Sequence, residues 1–424
     1  MTEWRVERLG RRGDGVAVML GDAAPGTATG GARALAAMTL PGEIIAGEAR
    51  DGRIDQPRMV VPSADRVRAA CPHYRMCGGC SIMHASDGFV AAWKAGVVDT
   101  ALAAQGVAAP PVGAVRTSPP RSRRRAVLSG RRTKNGALVG FHARASDVVV
   151  DVTDCLVIRP AILAALPDLR RLVALGGSRK AELTLAVTET TAGLDIAVRG
   201  GKPMDPQLMQ DMAGLAGQAG WARIDWDGER LTLSAPALSL GGARVVPPPG
   251  AFLQATAEGE AALVAAVRAT VGDADRVADL FAGIGTFTLP LAERAEIHAV
   301  EGLAAPLAAL DAGWRSAPGL RRVTTEVRDL ARRPLLPAEL ARFDAVVIDP
   351  PRAGAEAQAQ ALAASTVPRV AWVACDPVTF ARDARIMAAG GYVLSSLEVV
   401  DQFRWSPHVE IAAAFVRQVS RPSA

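Results

Sequence analysis

The sequence predicts an α/β chain: a doubly wound parallel sheet at the carboxyl end, preceded by a small β-barrel and a mixed α+β region. Three observations carry this. Strand-like and helical stretches alternate after residue 250, short β-like runs between turn signals fill residues 1–60, and three cysteines crowd residues 71–80. The 424 residues suffice for two to four domains at the usual ~100–200 residues each. Half of them are hydrophobic and 21% charged, which suits packed domains rather than disorder. No apolar run reaches the ~18 residues of a membrane span. The start, Met1-Thr2-Glu3-Trp4-Arg5, carries charge where a secretory signal needs an apolar core. The chain therefore reads as a soluble, cytoplasmic monomer. That reading excludes a receptor, a transporter or a disulfide-stapled secreted module.

In chain order, Arg12-Gly13-Asp14-Gly15 and Pro41-Gly42-Glu43 separate the short runs of an OB-like barrel at 1–60. A central α+β region follows at 61–245. Pro247-Pro248-Pro249-Gly250 punctuates the entry to the last domain, 246–424. That domain reads as a helix at 257–271 and strands at 276–281, 296–301, 323–327, 344–348 and 369–374, with helices between them. Two further strands near 392–400 and 409–416 lack an intervening helix. Alternation implies a parallel sheet covered on both faces, and the last two strands imply an antiparallel hairpin at one edge.

The net charge is +5, and only four of the 48 basic residues are Lys. An arginine excess is compatible with codon bias, but its clustering is not uniform. From Arg116 to Arg144 there are nine basic residues and no acidic one. Charges this dense repel unless they face water or a polyanion. The stretch also reads as two strands, 125–129 and 137–142, around Lys134-Asn135-Gly136. Arg121, Arg123, Arg124, Arg125, Arg131 and Arg132 are therefore candidate contacts to an RNA or DNA backbone.

Cys71, Cys77, Cys80 and the distant Cys155 form a ligand-like set, with Gly78-Gly79 allowing a tight fold around sulfur. Clustered cysteines in an intracellular chain argue for metal before disulfides. The spacing fits a 4Fe-4S cluster or a structural zinc and leaves both open. His73 and His84 flank the set and read as polar neighbours.

The first carboxyl-terminal strand ends in Asp279-Leu280-Phe281-Ala282-Gly283-Ile284-Gly285-Thr286. Gly-x-Gly clears space for a ligand over the strand end, but the third glycine of a dinucleotide fingerprint is missing. Glu301, eighteen residues past Gly283, can accept both ribose hydroxyls of an adenosine, and Asp329 follows the third strand. This pattern favours S-adenosylmethionine over NAD. The fourth strand ends in Asp349-Pro350-Pro351-Arg352, an acidic-Pro-Pro turn like those of methyltransferases. Arginine, not an aromatic, follows the prolines, which counts against an amino-methylating enzyme. Cys375 ends the fifth strand, at the sheet edge where ligands bind. A thiolate there can add to carbon 6 of a uracil and make carbon 5 nucleophilic. The carbon 5 proton must then leave, and His408 and Glu410 are the candidate bases.

Together these residues resemble the 4Fe-4S-containing RNA uracil-5 methyltransferases, the RumA-like 23S rRNA family, over nearly the whole chain. The resemblance implies a class I Rossmann-like methyltransferase domain, an N-terminal TRAM-like OB barrel and a central iron-sulfur domain. It implies Cys71, Cys77, Cys80 and Cys155 as cluster ligands. Gln254 (in Phe252-Leu253-Gln254), Phe281, Thr286, Glu301, Asp329 and Asp349 would contact S-adenosylmethionine. Cys375 would be the nucleophile and Glu410 the base. There are departures: Thr256 stands where the family has Asn, Ala282-Gly283 replaces Cys-Gly, Cys375-Asp376-Pro377 replaces Cys-Asn-Pro, and Met83-His84 replaces Gln-His. Asp376 is the notable one, since an anion beside Cys375 would raise the thiol pKa. The reading is a methyltransferase acting on carbon 5 of a flipped-out uridine in structured RNA, with 23S rRNA as the expected target and tRNA as the alternative. A non-catalytic RNA-binding assembly factor on the same fold is the rival from another class, opposed by Cys375 and Glu410. A cytosine-5 DNA methyltransferase would need a cysteine within 349–354, and there is none.

Overall fold

The computed structural model describes residues 1–20 and 31–418. Strands β1 (Glu3–Leu9), β2 (Gly15–Leu20), β3 (Arg33–Ala36), β4 (Ile44–Ala46), β5 (Arg53–Ile54) and β6 (Arg58–Val61) form one sheet in the order β5-β3-β2-β1-β4-β6. Alternation turns Trp4, Val6, Ala17, Ala34, Ala36 and Ile45 to a small core. The expected barrel is thus a six-stranded sheet with β5 and β6 at its two edges.

Helix α1 (Asp87–Ala104) and strand β7 (Val115–Thr117) follow. The central sheet contains β8 (Arg125–Arg132), β9 (Ala137–His142), β10 (Val149–Asp151), β11 (Glu182–Thr190), β12 (Gly193–Arg199), β13 (Arg223–Trp226) and β14 (Glu229–Thr232). Its order is β10-β9-β8-β11-β12-β13-β14. Helices α2 (Pro160–Ala164), α3 (Leu166–Gly176) and α4 (Pro206–Ala219) accompany it. Leu169, Leu172, Met212 and Leu215 from α3 and α4 share its core with Val187, Ile196 and Trp226. The basic hairpin is present, but β8 continues past the expected end at 129 to Arg132, which pairs with Ala137. A small hairpin, β15 (Leu238–Leu240) and β16 (Ala243–Val245), leads to the last domain.

There α5 (Ala257–Val271), β17 (Arg276–Leu280), α6 (Thr288–Leu291), β18 (Glu296–Glu301), α7 (Ala304–Ser316), β19 (Val323–Val327) and α8 (Pro337–Leu340) precede β20 (Ala345–Ile348). Then come α9 (Glu356–Ala363), β21 (Arg369–Ala374), α10 (Pro377–Ala389), β22 (Tyr392–Asp401) and β23 (Ile411–Arg417). Thr256 caps α5, its hydroxyl accepting from Gly259 N. The sheet order is β19-β18-β17-β20-β21-β23-β22-β7. The five helix-linked strands are parallel, and β23 lies antiparallel between β21 and β22.

Two features differ from the sequence reading. The β22–β23 hairpin is not at the edge, because β7 adds in parallel to β22 through Val399, Val400 and Asp401. Helix α1 also belongs to this body. Its Val98 and Leu102 pack in the same core as Val346, Trp372 and Phe415. Segment 87–117, expected in the central region, therefore completes the carboxyl-terminal layer.

Lys94 lies on the buried stripe of α1 with Val90, Val98 and Leu102. Its ammonium donates to Asp401 at 2.5 Å, with both side chains fully buried. Removing one charge strands the other, so Lys94→Met should cost about 3–5 kcal/mol in denaturant unfolding. Lys94→Met combined with Asp401→Leu should recover most of it. A single mutant as stable as the parent would show that the pair does not hold α1 to the sheet.

Candidate active site and cysteine centre

Parallel strands deliver their carboxyl ends to one edge of a sheet. That edge receives the Phe281–Thr286 turn after β17, Glu301 at the end of β18, Asp349 after β20 and Cys375 after β21. Because β23 is antiparallel, its beginning arrives there too. Ala374 pairs with Ile411, which sets Cys375 and Glu410 one step further on across the same ladder.

The turn after β17 is bent tightly, with Phe281 at φ 62°, Gly283 at 55° and Gly285 at 98°. A Cβ on Gly285 would lie 2.9 Å from the Leu310 side chain. A non-glycine residue held at positive φ, as Phe281 is, marks a conformation the surroundings enforce. Glu301 is fixed by two amides, accepting from Gly283 N at 3.1 Å and Leu303 N at 3.0 Å. Asp279 is buried beneath the turn and accepts from the Thr288 hydroxyl at 2.5 Å. Its other oxygen has no partner, and burial pushes its pKa up to about 7. Phe281 and Thr286 are half-buried in the turn. Asp329 follows β19 but is exposed and occupied locally, accepting from Ala331 N at 3.1 Å.

Gln254 is buried and its amide nitrogen donates to Asp349 at 3.2 Å. Burial and the charges of Glu410 and Asp279 push the Asp349 carboxyl well above the usual range. Glu410 is likewise raised, to about 7, by burial, against the opposing pull of a Gln402 hydrogen bond and the Arg352 charge. Burial, with Glu410 and Asp349 adding to it, raises the Cys375 thiol to about 11, and Arg352 opposes the shift. The arginine after the prolines is thus the cation facing both the thiol and the carboxyl. Asp376 turns away: it caps α10 by accepting from Val378 N at 2.9 Å and pairs with Arg11 at 2.9 Å. Thr379 N also reaches it at 3.3 Å. His408 is exposed, set edge-on to Phe403. Gln402 has no motif signature and was not read from the sequence, yet it touches both Gln254 and Glu410.

The distant Cys155 lies near Cys71, Cys77 and Cys80. Burial raises the pKa of Cys71, Cys77 and Cys80, the last to about 12, and each also feels the charge of Cys155. Gly79 N donates to Cys77 Sγ and Val157 N to Cys155 Sγ, both at 3.4 Å. Among the described residues, no three or more His, Cys, Asp or Glu side chains are placed to hold a metal ion. His84 bonds the Tyr74 hydroxyl at 2.6 Å, and His73 reaches Thr153 at 3.2 Å.

The candidate RNA arginines divide. Arg131 is exposed, while Arg132 is half-buried and donates to Gly177 O. Arg121 pairs with Asp154 at 3.0 Å. Arg123 stacks over Phe403, and Arg125 donates to Gly250 O at 3.2 Å. Arg124 corrects the sequence reading. It is 7% exposed, donates to Gln254 O at 3.1 Å and pairs with Glu260. A guanidinium so enclosed braces the segment leading into α5 rather than facing a polyanion.

The sheet order, the glycine turn and the carboxylates at its strand ends define a class I methyltransferase. The comparisons take this further. Residues 247–418 match the family described as tRNA (Uracil-5-)-methyltransferase. The chain is 42% identical to an uncharacterized RNA methyltransferase of Rhizobium meliloti, over 96% of this chain and 97% of that one. It is 33% identical to the 23S rRNA (uracil(1939)-C(5))-methyltransferase RlmD of Chromohalobacter salexigens, over 90% and 84%. The crystal structure of Pyrococcus abyssi tRNA (uracil-54, C5)-methyltransferase with S-adenosyl-L-homocysteine has the same fold. It superposes with a TM-score of 0.73 at 20% identity, over 97% of this chain and 99% of that one. The chain belongs to the RNA uracil-5 methyltransferase family and is an S-adenosylmethionine-dependent enzyme of that class. No helix among the described residues is long and apolar enough to cross a membrane.

The two kinds of arginine should separate experimentally. Arg124→Ala should destabilise the fold by roughly 3 kcal/mol, since Glu260 loses a nearly buried partner. Arg131→Ala with Arg132→Ala should shift stability by at most about 1 kcal/mol and flatten the salt dependence of RNA binding, measured by filter retention. An Arg124→Ala protein of full stability would return that residue to the surface set.

Proposed function

We propose that the chain methylates carbon 5 of a uridine in structured RNA, most consistently 23S rRNA, with Cys375 as nucleophile and Glu410 as base. The observation that carries the reading is the Cys375–Glu410 juxtaposition across the β21–β23 ladder, beside the turn after β17. The rRNA target is supported by the RlmD relative, whose identity spans 90% of the chain. The Pyrococcus abyssi likeness keeps tRNA as the second reading.

Gln254, Phe281, Thr286, Glu301, Asp329 and Asp349 would hold S-adenosylmethionine. Their fit rests on a cleared glycine turn and on carboxylates suited to ribose hydroxyls and a cationic sulfonium. S-adenosylmethionine supplies the methyl group that carbon 5 gains. Cys375 forms a bond to carbon 6 as a thiolate, its thiol proton having passed to water, and the electron pair moves to carbon 5. Arg352 favours the thiolate, opposing the burial that raises it. After methylation Glu410 takes the carbon 5 proton, and the re-formed double bond expels Cys375. A carboxyl raised to about 7 is a stronger base than an ordinary one and is half ionised near neutrality.

RNA would lie along a cavity of about 680 Å³ lined by Arg11, Arg12, Arg53, Arg144 and Phe141, between the N-terminal sheet and the cysteine loop. The cysteines would carry a 4Fe-4S cluster. The four-thiol donor set and the amides aimed at Cys77 and Cys155 sulfur support it.

Cys375→Ala should abolish turnover and every covalent RNA–protein adduct while S-adenosylhomocysteine still binds. Glu410→Gln should differ in kind, accumulating a denaturant-stable complex with methylated RNA, seen by gel electrophoresis. In the wild type, adduct resolution should rise with pH through about 7, because only the ionised Glu410 takes a proton. Appreciable turnover by Cys375→Ala would refute the nucleophile, and normal turnover by Glu410→Gln would move the base elsewhere.

Anaerobically purified protein should contain about four irons and four sulfides per chain. Stoichiometric zinc without iron, in protein never exposed to air, would exclude the cluster. Cys155→Ser should lower stability and RNA affinity before it affects S-adenosylhomocysteine binding.

A further inference from the structure

Gln402 is 3% exposed and sits between the cofactor side and the proton-abstracting side of the site. Its orientation is not a free choice. The backbone N–H of Ala255 can only donate, so the Gln402 atom 2.8 Å away is the carbonyl oxygen. The amide nitrogen then faces Gln254 Oε1 at 2.6 Å and Glu410 Oε2 at 3.0 Å. Gln254, accepting at its oxygen, must present its own nitrogen to Asp349, 3.2 Å away. One fixed backbone donor thus sets the polarity of the whole chain of groups.

The placement of Gln402 is also enforced. Asp401, the preceding residue, is held by Lys94 and by Phe403 N. On the other side α5 passes so close that a Cβ on Gly259 would lie 2.8 Å from Gln402 Cβ. Such anchoring leaves the side chain little room to adopt another arrangement.

We propose that Gln402 is a positioning residue that aims Gln254 at the cofactor and holds Glu410 as a hydrogen-bond acceptor, so that one side chain prepares both halves of the reaction. The inference rests on the reading of Glu410 as base. Around Glu410 stand Asp349 after β20, Cys375 after β21 and Arg352 beyond the prolines, with Asp279 of β17 behind Asp349. Burial favours the protonated acid, and a charged Asp349 beside it does the same. Arg352 and the Gln402 amide favour the carboxylate. Without that amide, Arg352 alone opposes burial, and the base stays protonated at neutral pH.

The test uses full-length Gln402→Met, similar in length and lacking both polar atoms. S-adenosylhomocysteine affinity is measured by calorimetry without RNA, and adduct resolution is followed from pH 6 to 9 with RNA. Gln402→Met should bind S-adenosylhomocysteine about tenfold more weakly, or about 1.4 kcal/mol. It should move the pH dependence of resolution up by roughly one unit, so that high pH restores the rate. A merely structural defect would lower the rate without moving that dependence.

If Gln402→Met does not fold, Gln402→Glu keeps the shape and places an acid against Glu410. Its resolution should shift to higher pH likewise, and its S-adenosylhomocysteine affinity should rise as pH falls and the new carboxyl protonates. Unchanged affinity and an unmoved pH dependence would overturn the inference, and lost affinity with an unmoved dependence would overturn its Glu410 half. Failure of the underlying reading looks different: Glu410→Gln would then turn over normally, whatever Gln402 does.

Discussion

The site depends on one register, the pairing of Ala374 with Ile411. Five parallel strands can bring only their carboxyl ends to the ligand edge. An antiparallel strand inserted among them brings its amino end instead, and so contributes a residue by a route the parallel strands lack. Inserting β23 beside β21 therefore sets a thiol and a carboxyl one step past the last ladder pair. A slip of one residue would turn Glu410 to the opposite face. The β22–β23 ladder does shift, between Leu394 and Ser396. The ladder with β21 runs unbroken from Arg369 to Ala374.

That register concentrates acids in a dry place. Asp279, Asp349 and Glu410 are raised chiefly by burial, and their charges add to the cost. Isolated buried carboxylates are expensive, so the groups protonate or find partners. Each has one hydrogen-bond donor on it: Thr288 on Asp279, Gln254 on Asp349, Gln402 on Glu410. One oxygen of Asp279 remains without any. An unmet demand for positive charge suits a site that receives a sulfonium. The same demand explains why Arg352, rather than an aromatic, is tolerable after the prolines. It is a cation near both Cys375 and Glu410.

Much of this was legible in the sequence because its signals are local and periodic. The alternation after residue 250, the glycine turn and Cys375 at a strand end each show within a short window. The basic hairpin was legible too, since Lys134-Asn135-Gly136 lies between two β-like runs. What escaped depends on distant partners. Strand β7 spans only Val115–Thr117, too short for any period to show, and its partner Val399–Asp401 lies far along the chain. Arg124 looked like its neighbours until Glu260 closed over it. Gln402 has no motif at all, and its meaning comes from Ala255 and Glu410 converging on it. Asp376 raised a concern about thiol acidity that its neighbours resolve, since α10 needs a cap and Arg11 a partner.

These long-range ties also join the N-terminal sheet, the central region and α1 to the carboxyl-terminal sheet and the residues around it. Arg11 reaches from the N-terminal sheet to Asp376, the residue after Cys375. Arg124 reaches from the central region to the carbonyl of Gln254. Lys94 reaches from α1 to Asp401, the residue before Gln402. Arg11 and Lys94 thus place cations beside Cys375 and Gln402, while Arg124 holds the backbone of Gln254 itself. A load on the N-terminal sheet or the central region would strain these ties first, and only through them the geometry at Cys375, Gln254 and Glu410.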